Sequence, residues 1–244
     1  MSIKHNIALK IYGSNFLKKI LRPLALFILN KAKNKTNTVV YVKKDGTKIY
    51  NKKIKNVKIK FSGEASNNYV EIHEPVNLIN LAIMIKGNSN TFVLGKGSRI
   101  RKMKLSLSNQ AKVIIGDNFA VNDLTILTTY SCGRKVEIGS DCLFSYGLVI
   151  RTSDAHVIYD LDSGNVLNFS QDVKIGNHVW VGANALILKG SYIPDNCVVG
   201  ARALVNKKFD KTNCVIAGMP AQIKKENINW NYCQADNWDF KDNE

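Results

Sequence analysis

The sequence predicts a mainly β chain wound as a parallel β-helix, and three observations carry that reading. Over Val173–Val205 an aliphatic residue recurs every six positions, at Ile175, Val181, Ile187, Ile193, Val199 and Val205. Gly176, Gly182 and Gly200 directly follow three of these residues, and Leu188, Pro194 and Asn206 follow the others. Shorter runs of sixes precede them, at Ile115, Val121 and Leu127 and again at Ile138, Phe144 and Ile150. Neither a helical period nor two-residue alternation yields this spacing. A fixed hexapeptide repeat does, when each six residues supply one short strand and one turn. The aliphatic side chain then points into a narrow core, and a small or turn-forming neighbour lets the backbone change direction.

Taken in order, the chain opens with a basic extension over residues 1–70. Ser14 can cap a helix whose apolar face carries Phe16, Leu17, Ile20, Leu21, Leu24, Phe27 and Ile28. Pro23 falls inside it and should kink it. Residues 39–61 alternate apolar and polar side chains around the hairpin turn Asp45-Gly46, which reads as a small β extension. The β-helix domain is expected over 71–220, with loosely spaced early strands that include Ile79, Ile83, Ile100 and Leu105. Its period stops over Ser153–Gln171, a polar stretch without the hexad, and resumes at Val173. An excursion from a rigid repeat is the natural place for a site, since the coils supply the frame and the loop supplies variation. Gln222–Cys233 has helix-like apolar spacing and is expected to cap the end of the solenoid, followed by an acidic tail within 221–244.

Charge is uneven along the chain. Of the net +16, residues 1–60 contribute +15, from fifteen lysines and Arg22 against Asp45 alone. Such a segment fits a membrane surface, a nucleic acid or an acidic polymer, or simply a solvated lysine-rich face. The basic amphipathic helix can rest on an anionic membrane or pack against a neighbouring subunit. The five cysteines are odd in number and scattered, without a Cys-x-x-Cys pair. That pattern argues for reduced thiols in the cytoplasm and against a disulfide framework or a structural zinc. No signal peptide is visible, and the apolar run Leu24–Leu29 is too short to span a bilayer.

With these residues in place, the chain resembles the hexapeptide-repeat acyltransferases of the left-handed β-helix type. Within them it is most similar to the sugar and polysaccharide O-acetyltransferases related to galactoside and maltose acetyltransferases. The resemblance covers about Ile115 to Trp230. It rests on coils ending in Ser-Asp-Ala-His156, a loop, Ile175-Gly-Asn-His-Val-Trp180-Val-Gly-Ala183, two further coils and Ala217-Gly-Met-Pro-Ala221. It implies acetyl transfer from acetyl-coenzyme A, with no metal, onto a hydroxyl of a carbohydrate acceptor. It also implies a homotrimer with sites between subunits, and no nucleic acid is expected among the partners.

The resemblance further implies His156 as the general base and Trp180 as a wall of the site. Ala183, Ala201, Asn206, Lys207 and Lys225 become the coenzyme contacts, with Lys208 or Lys224 assisting. Gln222 stands where some relatives carry Arg. Asn122 aligns with an acceptor-contacting Asn, and Tyr146 and Arg151 are acceptor candidates by position. Asp154 is added as a group that could fix the His156 tautomer. Imidazole suits the work because it titrates near neutral pH and can take a hydroxyl proton as the oxygen attacks the thioester. His178, in a regular coil beside a turn, reads as structural.

The acceptor expected is a sugar of a bacterial surface polysaccharide or its precursor, with the basic segment favouring an acidic one. Three other readings share the fold: an N-acetyltransferase on a nucleotide-linked aminosugar, a zinc hydratase, and a non-catalytic scaffold binding glycan or membrane. The hydratase needs three His ligands at a trimer interface, for which His73, His156 and His178 are a poor match.

Overall fold

The computed structural model describes residues 36–233. Twenty-three short strands wind as a three-sided parallel β-helix of about seven coils. The first coil holds β1 (Thr38–Val42), its antiparallel hairpin partner β2 (Lys48–Tyr50) and β3 (Val57–Phe61). The second holds β4 (Tyr69–His73), β5 (Val76–Leu78) and β6 (Leu81–Lys86), and the third β7 (Thr91–Leu94), β8 (Ser98–Ile100) and β9 (Met103–Ser108). The fourth holds β10 (Lys112–Ile115), β11 (Ala120–Val121) and β12 (Leu124–Leu127), and the fifth β13 (Lys135–Ile138), β14 (Leu143–Phe144) and β15 (Leu148–Arg151). The sixth holds β16 (Val173–Ile175), β17 (Trp180–Val181) and β18 (Leu186–Ile187), and the seventh β19 (Tyr192–Ile193), β20 (Val198–Val199) and β21 (Leu204–Val205). A hairpin of β22 (Val215–Gly218) and β23 (Ala221–Lys225) closes that end.

Each coil from the second to the seventh contributes one strand to each of three sheets, while the first puts β1 and β2 in one sheet and β3 in another. Face I contains β1, β4, β7, β10, β13, β16 and β19; face II runs from β5 through β20 to β22 and β23; face III contains β3, β6, β9, β12, β15, β18 and β21. Stacking in register builds three inward columns. Leu94, Ile115, Ile138, Ile175 and Ile193 line up on face I, and Ile100, Val121, Phe144, Val181 and Val199 on face II. Leu105, Ile126, Ile150, Ile187 and Val205 do so on face III. All are essentially buried, and each such side chain contributes about 1.5–3 kcal/mol by leaving water.

The hexad of Val173–Val205 is therefore one inward residue per face over two coils. Earlier coils are longer. Tyr69 lies opposite Thr91, Thr91 opposite Lys112 and Lys112 opposite Lys135, against the shorter step from Lys174 to Tyr192. The extra residues sit at the corners, which is why the early sequence looks loose.

Several expectations change. Among the described residues the coils already include β1, since it pairs in parallel with β4; residues 38–61 belong to the solenoid rather than to a separate extension ending at residue 70. Leu127, read as an inward residue, faces outward, and Ile126 fills the core in its place. Ile79 is likewise exposed while Leu78 is buried. The helix expected over Gln222–Cys233 is not formed: Ala221–Lys225 is a strand antiparallel to β22, because backbone pairing with the last exposed edge of face II outweighs a weak helical spacing. The helix expected over residues 14–28 and the acidic tail lie outside the described residues. Cys142, Cys197 and Cys214 are buried and free, and burial pushes the Cys142 thiol up to about 12.

Coils approach so closely at some corners that no side chain fits. A Cβ on Gly139 would stand 2.5 Å from the Gly176 carbonyl oxygen, a backbone atom that cannot swing aside. Gly139→Ala is expected to cost roughly 1–3 kcal/mol, as overpacking does, read as a lowered denaturation midpoint; an unchanged midpoint would mean that the coils separate freely there.

Candidate active site

The break in the period is an arm on the edge between faces III and I, leaving after β15 and returning at β16. It lengthens the step between paired strands so that Val136 lies opposite Val173. Tyr159 and Val166 form an antiparallel bridge, and the Leu167 N–H donates to the Ile158 carbonyl (2.8 Å). Asp160 accepts from Ser163 and turns the tip. The arm exposes Val157, Ile158, Tyr159, Leu161, Leu167 and Phe169, all more than half accessible. So many apolar side chains in one short segment are unusual on a free surface.

His156 stands at the base of this arm. Ala155 adopts φ 70°, a region rare for non-glycine residues and found where a tight turn is imposed. The His156 N–H donates back to the Asp154 carbonyl (2.9 Å) across that turn. The imidazole itself is exposed and makes no hydrogen bond with another described residue.

Asp154 does not meet the His156 ring. Its carboxylate accepts from Lys189 Nζ at 2.5 Å and from Asn168 Nδ2 at 3.1 Å. Asn168 also donates to the His156 carbonyl (2.8 Å), accepts from the Ile158 N–H (2.7 Å) and offers its own carbonyl to Lys189 (2.8 Å). The three side chains clamp both legs of the arm to the sixth coil. The Lys189 hydrogen bond is the largest influence holding the Asp154 carboxyl below the usual carboxylate range, with Asn168 and the charges of Lys189 and Arg151 adding to it. Arg151 ends β15 at the same corner. Sequence reasoning missed Asn168 and Lys189. The signal was available in part, since Lys189 is a charged residue inside an otherwise apolar repeat.

A second group of candidates lies on the edge between faces II and III. Asn122 follows β11, Tyr146 follows β14, Ala183 follows β17 and Ala201 follows β20, each at the same corner of successive coils. Backbone bonds tie them in order: Asn122 N–H to the Phe144 and Ser145 carbonyls, Asn184 N–H to the Tyr146 carbonyl, and Arg202 N–H to the Ala183 carbonyl. A Cβ on Gly182 would meet the Ala201 nitrogen at 2.6 Å, so this edge is kept narrow. Such an edge lets a long, slender ligand lie close to the backbone.

Trp180 projects from face II, 41% exposed, between Leu143 and Val198. Its ring lies 6.2 Å from Trp230. Trp230 is held in turn by His178, which stacks on it at 4.3 Å and donates from Nε2 to its carbonyl (3.0 Å), while Trp230 Nε1 donates to the His178 carbonyl (2.8 Å). His178 thus anchors the returning chain. Asn206 and Lys207 follow β21. The Lys207 ammonium reaches Gln222 Oε1 at 2.8 Å, opposite Ala217 at the end of the II–III edge. Lys225 is exposed at the end of β23.

Within one chain, then, His156, Asp154 and Arg151 occupy one edge of the prism, and Asn122, Tyr146, Ala183 and Ala201 another, with face III between them. Among the described residues no three His, Cys, Asp or Glu side chains converge to hold a metal ion.

Comparison with known proteins decides the family. Residues 172–207 match the model of the bacterial transferase hexapeptide, six repeats. A polysialic acid O-acetyltransferase of Neisseria meningitidis is 40% identical over 173 residues, covering 68% of this chain and 76% of that protein. The chain belongs to the hexapeptide-repeat O-acetyltransferases. Two solved members share the architecture along most of its length. The crystal structure of the polySia specific acetyltransferase NeuO superposes with a TM-score of 0.69 at 28% identity, over 84% of this chain and 89% of that one. The polysialic acid O-acetyltransferase OatWY gives 0.64 at 34% identity, over 77% and 93%.

The clamp gives a pH expectation. A depressed carboxyl contributes order above its ordinary pKa and loses it as pH falls through the lowered value. Amide protection in residues 154–168, followed by hydrogen exchange, should persist through mildly acidic pH and fade only below the usual carboxylate range. Lys189→Met should move that fading to higher pH; an unaltered profile would mean that Asp154 does not hold the arm.

Proposed function

We propose that the chain transfers an acetyl group from acetyl-coenzyme A to a hydroxyl of an acidic bacterial surface polysaccharide, with His156 as general base. The observation that carries this reading is the combination of His156 at the break in the repeat with 40% identity to a polysialic acid O-acetyltransferase. The acceptor oxygen attacks the thioester carbonyl carbon while the imidazole takes its proton. The tetrahedral intermediate collapses by breaking the carbon–sulfur bond, and the imidazolium returns the proton to the coenzyme thiolate. The thioester is already activated, so holding donor and acceptor together supplies much of the acceleration.

The coenzyme lies along the II–III edge, where Ala183 and Ala201 leave room for its pantetheine arm and Lys207, held at Gln222, stands at the end for its phosphates, with Lys225, opposite Val215 across face II, as the more distant cation. Trp180 walls the site from face II. This arrangement requires a His156 that the same chain holds on a different edge. A homotrimer meets the requirement, with the III–I edge of one copy facing the II–III edge of the next. The apolar arm supports that assembly, since its exposed side chains need a neighbouring surface. Net charge supports an acidic acceptor, as a strongly cationic protein gathers polyanions.

His156→Ala should lower kcat by about 10²–10⁴, the range for loss of a general base, with the acetyl-coenzyme A KM unchanged; full turnover would remove His156 from the chemistry. Chains carrying His156→Ala and chains carrying Ala183→Trp should each be inactive yet recover activity when assembled together. Absence of recovery in correctly folded mixed oligomers would place the whole site within one chain. KM for a polyanionic acceptor should rise with ionic strength, because the Debye length shrinks to about 8 Å at physiological salt; salt-independent kinetics would count against an acidic acceptor.

A further inference from the structure

Below the candidate coenzyme contacts, face II and its edge carry two basic cavities that, Asn122 apart, hold none of the residues assigned to the transfer site. Asn77, Arg99, Ala120, Leu143 and Trp180 are successive outward positions on face II. Ala120 is the smallest of these side chains. The dip it leaves is a cavity of about 300 Å³ whose lining includes Asn77, Ile79, Arg99, Arg101 and Asn122. A second cavity of about 460 Å³ adjoins it, shares Asn77, and is lined by Tyr41, Lys52, Lys53 and Lys55 among others. Among the described residues no carboxylate lines either one.

The five cations are also free of acidic partners. Among the described residues none of Lys52, Lys53, Lys55, Arg99 and Arg101 forms an ion pair. Lys102, the next residue after Arg101, shows the contrast: Asp123 neutralises it at 2.6 Å. The guanidinium of Arg99 is placed 5.9 Å from the Tyr232 ring centre, and the Lys52 ammonium 4.5 Å from that of Tyr41. Aromatic faces orient both without cancelling their charge. Cations collected on one side of a fold, unpaired and partly oriented, hold a local positive potential that an anionic chain would relieve. The exposed Ile79 adds an apolar surface suited to the carbon face of a sugar ring.

We infer that these cavities form an extended track for the carboxylates of an acidic glycan chain, separate from the groups that perform acetyl transfer. The inference rests on the proposed function, because it takes the acceptor to be an acidic polysaccharide. The track runs from the Lys52–Lys55 loop past Asn77, Arg99 and Arg101 to Asn122 and Tyr146, on the edge that continues to Ala183. From β5 to β17 the face II ladder climbs four strand spacings, roughly 20 Å at about 4.8 Å each. A glycan long enough to reach the transfer level and still fill the track gains carboxylate–guanidinium bonds, which are strong because they are charge-assisted and can be bidentate. A short acceptor reaches the transfer level and leaves the track empty.

The test uses the full chain and the variants Arg99→Gln/Arg101→Gln and Lys52→Gln/Lys53→Gln/Lys55→Gln. Equilibrium binding and acetylation would be measured with long polysialic acid and with a short sialic acid oligomer. Both variants should raise Kd and KM for the long polymer by about tenfold or more, as loss of charge-assisted bonds does. Their kcat, their acetyl-coenzyme A KM and their KM for the short oligomer should match the wild type. Wild-type chain that binds the long polymer while both variants bind it equally well overturns the track and leaves the proposed function standing. Wild-type chain that neither binds nor acetylates acidic polymers removes the acceptor reading, and the track with it. Variants that lose binding to phosphatidylglycerol vesicles yet keep polymer affinity assign the cations to a lipid surface and overturn the proposal.

Discussion

Everything in this molecule depends on the coils stacking strand upon strand in parallel register. That stacking does two things at once. It pairs backbone donors and acceptors of each coil with those of its neighbours, and it lines inward aliphatic side chains into three continuous columns. A single coil can achieve neither, since its strands are only two to six residues long and its apolar face would stay wet. Stability is therefore shared between neighbours. The close corners at Gly139 and Gly182 follow from the same constraint, because the turns must nest as tightly as the strands.

The rigid frame explains where the candidate functional groups gather. Side chains on the faces and edges sit at heights fixed by the strand spacing, so a ligand lying along an edge meets groups in a set order. Only where the winding is interrupted can a residue be lifted away from that lattice. His156 is lifted in this way, and the contacts among Asp154, Lys189 and Asn168 fix the interruption to the coil above it. The separation of His156 from the Ala183 edge is equally a product of winding: the two lie at different corners of one prism.

The sequence made the core of this architecture legible because one inward residue per face imposes a period that nothing else imitates. Legibility declined where corners lengthened. At Leu127 the corner between faces II and III is one residue shorter than in the later coils, so the phase shifted by one and Ile126 took the inward place. Residues 38–61 looked like a separate hairpin because alternation along a strand says nothing about its partners, and β1 turned out to pair with β4. Gln222–Cys233 misled by spacing apolar residues as a helix does, although an open sheet edge lay beside it. At the candidate site, the places of His156 at the break and Trp180 on face II were readable from the repeat, while their roles are part of the proposal. The contacts of Asn168 and Lys189, and the unpaired placement of Arg99 and Arg101 on which the inferred track rests, were not, because they depend on registers that sequence spacing alone does not fix.

The quantised rise of the coils has an evolutionary consequence. Adding or removing one complete coil between the Arg99 level and the Ala183 level would change their separation by one strand spacing and leave the chemistry at each level intact. On the inferred track, acceptor selectivity would then be adjusted as a gauge is, in whole increments, by duplication or loss of a repeat rather than by redesign of either end. The narrow Ala120 step between Arg99 and Leu143 is one rung of that gauge.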